Sequence, residues 1–109
     1  MNGQASAKRS IGKLDNFPEF PAEVTLGPHA ETYFVLREKS GGADSYVYRL
    51  ASAVCPHAGG YVQAFNGELV CPLHFWAFDS ETGESTNMIG ETLECQPLEL
   101  IDGELFIKD

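Results

Sequence analysis

Apolar and polar residues alternate along this chain in short runs, and nowhere do apolar positions keep helical spacing for three turns. Thr32-Tyr-Phe-Val-Leu-Arg37 is rich in β-branched and aromatic residues and predicts a strand. Beyond the turn Ser40-Gly-Gly-Ala43, Ser45-Tyr-Val-Tyr-Arg-Leu50 steps in twos, with Tyr46, Tyr48 and Leu50 on one face, so the two runs predict a hairpin. Upstream, a strand is expected near Ser10, an extended connector over Phe17-Pro18-Glu19-Phe20-Pro21, and a further strand over Glu23–Leu26, ended by Gly27-Pro28. Downstream, Thr82-Gly83 marks a turn and Thr92–Cys95 and Pro97–Ile101 predict strands, after which Asp102-Gly103 turns the chain into Glu104–Ile107. The first ten residues are small and polar and predict a frayed start. The pattern gives an all-β chain of antiparallel hairpins, one domain over residues 1–109 without repeats.

The middle of the chain holds two near-copies of one box, Cys55-Pro56-His57 and Cys71-Pro72-Leu73-His74. Between them run two short apolar-rich arms around Asn66-Gly67, the pair that best tolerates the two positive φ angles of a type I′ turn. A hairpin there returns its ends to one place, so the boxes are expected as two loops facing each other.

Each box supplies one thiol and one imidazole, and Cys55, His57, Cys71 and His74 together make a four-donor set suited to a metal. Zinc sites usually group two cysteines in one knuckle and two histidines in another. One of each per loop suits a two-iron cluster, with both sulfurs on one iron and both nitrogens on the other. A zinc-binding interaction module is the alternative from another class. With the tail Cys71-Pro-Leu-His-Phe-Trp-Ala-Phe-Asp-Ser-Glu-Thr-Gly83, the boxes resemble the Rieske [2Fe-2S] family. That resemblance implies a Rieske fold of stacked antiparallel sheets, with a small cluster-binding subdomain at about residues 52–83 formed by two loops. It also implies one Rieske-type [2Fe-2S] cluster on Cys55, His57, Cys71 and His74. Two features depart from the family: the thirteen residues between the boxes are fewer than usual, and Phe75 stands where a glycine often follows the second histidine.

In quinol-oxidising members the family pattern adds a cysteine pair bridging the loops, and Ser and Tyr hydroxyls that donate toward the cluster. Aligned from the ligands, these positions fall on Gly60 and Leu73, Trp76 and Phe78, so all four groups are absent. The expected potential is therefore near the low end of the Rieske range, about −150 mV. Such a potential implies a stand-alone Rieske ferredoxin, an electron-transfer protein rather than an enzyme, carrying single electrons from a flavoprotein reductase to an oxygenase. The oxygenase's own mononuclear iron needs two histidines and a carboxylate, and His29 is the one histidine left over here. Within the family, the rival reading is a small Rieske subunit of a nitrite reductase or other multisubunit oxidoreductase.

Charge sharpens the picture of partners. The formal net charge is −9, yet every base lies at Lys8, Arg9, Lys13, Arg37, Lys39, Arg49 or Lys108. Residues 51–107 hold nine acids and no base, so the half with the boxes carries the whole excess. Such a field steers a basic redox partner and makes encounter salt-sensitive. It argues against nucleic acid, whose phosphates need Lys and Arg. With Cys55 and Cys71 assigned as ligands, Cys95 has no disulfide partner. No stretch is apolar enough for a membrane span or a signal peptide, so a reduced, cytoplasmic, soluble monomer is expected. His29 is expected on an exposed turn, Cys95, Trp76 and Phe78 in packing, and Asp79–Gly83 as a solvated turn.

Overall fold

The computed structural model describes residues 9–42, 45–56, 60–73 and 75–108. The strands are β1 (Arg9–Lys13), β2 (Ala22–Leu26), β3 (Glu31–Lys39), β4 (Tyr46–Ser52), β5 (Gln63–Phe65), β6 (Glu68–Cys71), β7 (Trp76–Asp79), β8 (Cys95–Ile101) and β9 (Glu104–Ile107). They form a six-stranded sheet in the order β1-β9-β8-β4-β3-β2 and a three-stranded sheet in the order β5-β6-β7. Every pairing is antiparallel. A 3₁₀ turn, Leu14–Asn16, follows β1.

The continuous apolar run in β3 has a physical reason: the β3–β4 hairpin is covered on both faces. Phe34 and Leu36 share one face with Ala51 and Ala53, and this face packs against Leu69, Cys71 and Phe78 of the small sheet. Val35, Tyr48 and Leu50 point the other way, into a second core with Leu98, Leu105 and Ile107, flanked by Ile11, Leu14, Phe17 and Phe20. A strand buried on both faces loses the alternation of a half-solvated one. The small sheet is thereby stacked on one face of the large sheet.

Both two-residue turns take the expected form. Asn66 and Gly67 have φ of 51° and 81°, with Phe65 opposite Glu68. Asp102 and Gly103 have φ of 50° and 80°, with Ile101 opposite Glu104. The β3–β4 turn closes through Ser40 N–H donating to Ser45 O at 2.9 Å. Ala43 of the expected turn, and residues 1–8 of the ten expected to fray, lie outside the described residues, while Arg9 and Ser10 are not frayed but pair in β1 with Ile107 and Phe106 of β9. The 17–21 segment, expected as an extended connector, instead bends over residues 18–21 between β1 and β2, and its Phe20-Pro21 peptide is cis.

Three further expectations need correction. Thr92–Cys95 is not a strand: Thr92 makes one bridge to Glu84, and β8 begins only at Cys95 and runs through Pro97. Proline is tolerated there because its C=O, and so its missing N–H, points to the β9 side, where Lys108 N–H donates to Pro97 O just beyond the strand's end. Trp76–Asp79, taken in the sequence only as the tail of the second box, is a strand. The Asp79–Gly83 turn is tied down rather than merely solvated. Asp79 Oδ1 accepts from Glu81 and Thr82 N–H at 2.7 and 3.0 Å, and Arg49 Nη1 donates to Glu81 O at 3.2 Å and to Glu38 at 2.7 Å.

Candidate metal centre

Both boxes emerge from strands and are closed by backbone bonds. After β4, Val62 N–H donates to Ala53 O at 2.7 Å, Val54 bridges Tyr61, and Cys55 N–H donates to Gly60 O at 2.6 Å. Cys55 and Gly60 are thus held together at the neck of the first loop. The second box spans the β6–β7 turn. Cys71, the last residue of β6, faces Trp76, the first of β7, and Phe75 N–H donates back to Cys71 O at 2.7 Å. Phe75 closes this turn with φ of 59°, the left-handed conformation glycine adopts most easily. The departure from the family at this position is therefore a change of residue on a backbone that favours glycine.

The two loops touch. A Cβ built on Gly60 would lie 2.6 Å from Leu73 Cδ1 and 3.3 Å from Cys71 Sγ, so the neck of the first loop lies directly against the second. Cys55 and Cys71 are 1% and 0% exposed and share one apolar cluster with Val62, Leu69, Phe78 and Leu93. None of the cysteines is in a disulfide. Two sulfurs brought into one apolar cluster by two adjoining loops are placed to serve a shared metal group. The described residues thus present the sulfur half of the donor set. His57 and His74 lie outside the described residues.

The second loop is held from a third segment that the sequence did not single out. Asn87 Nδ2 donates to Phe75 O at 2.9 Å, and Asn87 Oδ1 accepts from Ala77 N–H at 3.0 Å. The amide thereby pairs with the backbone on both sides of Trp76 as a neighbouring strand would. Ser85 Oγ fixes the amide's own turn, donating to Ala77 O at 2.9 Å and accepting from Met88 N–H at 2.9 Å. A polar Ser-Thr-Asn run was visible at 85–87, but its partner is set only in space.

The remaining candidates take structural places. Phe78 is fully buried, and Trp76 packs against the same core. His29 is exposed on the β2–β3 turn. Cys95 packs half-buried against the first core, with its Sγ where a Cβ on Gly83 would come within 2.8 Å. Burial pushes the Cys95 thiol pKa up; nearby Arg49 pulls it down and Glu94 raises it, with burial prevailing.

The sequence matches the profile of the Rieske [2Fe-2S] domain over residues 10–97. No curated protein matches. Among solved structures, the chain superposes on the quaternary ammonium Rieske monooxygenase CntA with a TM-score of 0.67 and 20% identity, covering 95% of this chain and 32% of that one. The chain therefore spans about a third of that oxygenase. The plasma membrane Rieske protein PetC3 from Synechocystis PCC 6803 gives a TM-score of 0.65 at 17% identity, covering 92% of this chain and 98% of that one. The ferredoxin of carbazole 1,9a-dioxygenase from Nocardioides aromaticivorans IC177 gives 0.61 at 22%, covering 94% and 98%. Among the described residues, no helix is long and apolar enough to cross a membrane.

Proposed function

The chain belongs to the Rieske [2Fe-2S] domain family, and from that premise we propose that Cys55 and Cys71 hold one iron of its cluster and His57 and His74 the other. Bound there, the cluster supplies reversible one-electron chemistry. The protein's part is to seat two sulfurs in an apolar core, to fix both loops through Gly60 and Asn87, and to keep them at the end of the small sheet. We read residues 1–109 as one Rieske domain, with the cluster-binding subdomain at about 52–83.

Within the family, the chain is a low-potential carrier that takes single electrons from a flavoprotein reductase and gives them to an oxygenase. The observation that carries this reading is the Gly60–Leu73 contact. These two positions align with the bridging cysteines of quinol oxidisers, they adjoin, and neither can cross-link. Nor can Trp76, or the fully buried Phe78, donate a hydroxyl hydrogen bond. Fewer donors and an acidic surround both disfavour an added electron. The resemblance in fold to a dioxygenase ferredoxin of similar length agrees with a carrier. The acidic field favours basic redox partners, and the absence of a base from residues 51–107 argues against nucleic acid. A soluble, cytoplasmic monomer fits this role.

Voltammetry of the purified protein tests the reading. A midpoint near about −150 mV is expected, and one above about +100 mV would defeat it. An EPR spectrum of the reduced protein separates a two-iron cluster from zinc, which is silent. One observation favours a second reading, that of a fixed subunit in a larger reductase. Tyr46, Val47, Leu98 and Leu100 line a shallow hollow of about 440 Å³ on the large sheet, away from the boxes. Obligate co-purification with a large partner through that face would favour it.

A further inference from the structure

Phe75 is a residue that the stability of the chain does not explain. Its φ of 59° is one that residues other than glycine adopt with strain. Its side chain is 72% exposed, so burial offsets little of that strain. Its two backbone bonds, to Cys71 O and from Asn87 Nδ2, are ones that a glycine would make equally well.

What the ring does form is a surface. On β5 and β6, Leu69 and Cys71 point into the core, so Val70 and its cross-strand neighbour Gln63 point outward, as does Phe65 opposite Glu68. Alternation should leave such an outward face polar. Instead Phe65, itself 63% exposed, joins Val70, Pro72 and Phe75 around an open, mostly apolar hollow of about 240 Å³. The hollow adjoins the second ligand box. Beyond it on the same face lie Glu68 and its cross-strand neighbour Asp79, and no base occurs between residues 51 and 107.

We propose that this hollow is the docking site for the protein that exchanges electrons with this chain, and that the partner presents an apolar side chain ringed by Lys or Arg. An apolar anchor within a charged rim is the arrangement that concentrates binding energy and steers encounter. A second copy of this chain fits poorly, since its own charge of −9 would repel. The proposal rests on the reading that the boxes hold a redox cluster.

The test uses the cluster-loaded protein, reduced chemically and then mixed with either of two oxidants. Mitochondrial cytochrome c offers an apolar haem edge ringed by lysines, and ferricyanide is a small anion that needs no hollow. In Phe75→Gly and Phe65→Ser, the visible spectrum, the midpoint and the ferricyanide rate are expected to match the unsubstituted protein. The cytochrome c rate at low salt should fall about tenfold. Phe75→Gly should not lower the apparent Tm, because glycine relieves the backbone.

Unchanged cytochrome c rates in variants with intact clusters would refute the docking site. So would a salt-insensitive rate, a Tm loss above about 5 °C in Phe75→Gly, or self-association that the substitutions abolish. Failure of the unsubstituted protein to show a two-iron spectrum would sink the cluster reading instead.

Discussion

Gly60 and Leu73 meet where the two loops of the candidate metal centre touch. A Cβ on the glycine would come within 3.1 Å of Leu73 Cγ as well as 2.6 Å of its Cδ1. Leu73 is an exposed side chain and can swing aside, but Cys71 Sγ, at 3.3 Å from the same point, is buried. Gly60→Ala is therefore expected to destabilise the loaded protein by about 1–2 kcal/mol. Adding Leu73→Ala should recover only part of it. Denaturation of the single and double variants, read at the visible band, measures the split.

The same contact suits a cross-link. Cysteines introduced together at Gly60 and Leu73 should oxidise to a disulfide, seen as the loss of two titratable thiols. Because the missing bridge is one of the groups whose absence is expected to lower the potential, the bridged variant should have a higher midpoint than its unbridged form. An unchanged midpoint would show that the bridge does not set the potential.

Asn87 should prove necessary to the second loop. Asn87→Ala leaves Phe75 O and Ala77 N–H without their side-chain partner, at an expected cost of about 2 kcal/mol. Asn87→Asp keeps an acceptor for Ala77 N–H but loses the donor to Phe75 O, and should fall short of full rescue. Iron release to a chelator, followed over time, ranks the three proteins; equal rates would show that the amide does not hold the loop.

Cys95 links pH to stability. Burial raises its pKa in the folded state, so the folded protein holds this proton more tightly than the unfolded chain. Its contribution is complete below the ordinary thiol range and is lost as pH rises through the raised value. Relative to Cys95→Ala, stability should therefore fall on the alkaline side only. Replacing Arg49 with Met removes the charge that lowers this pKa, and should move the pH profile of thiol alkylation further up. The broken Arg49–Glu38 pair, with side chains 29% and 32% exposed, should account for no more than about 1 kcal/mol.

The ligand assignment has its own signature. His57→Ala and His74→Ala should each abolish the assembled cluster, as should Cys55→Ser and Cys71→Ser, because the proposed assignment gives each iron only two protein donors. A retained Rieske-type spectrum in any of them would remove that residue from the set.

Much of this was legible locally. Asn66-Gly67 and Asp102-Gly103 carry their turn in their chemistry, since two successive positive φ angles admit few other residues. The paired boxes were legible because ligand chemistry restricts residue type. The β7 strand was not: Trp76–Asp79 is short, and its pairing depends on β6 across the loop. Thr92–Cys95 misled for the opposite reason. Its β-forming residues have a single bridge to Glu84, because strand pairing with β4 begins only at Cys95.

By itself the sequence determined the all-β character, the turns and the one-sided charge, and it singled out the four candidate donors, because each follows from residue type and short-range spacing. Tertiary structure alone decided that Gly60 lies against Cys71 and Leu73, that Asn87 braces Phe75 and Ala77, and that Phe65 and Phe75 share one hollow. Those contacts join segments remote along the chain or depend on which way a strand faces. Only the stacking of the small sheet on the large one brings them together.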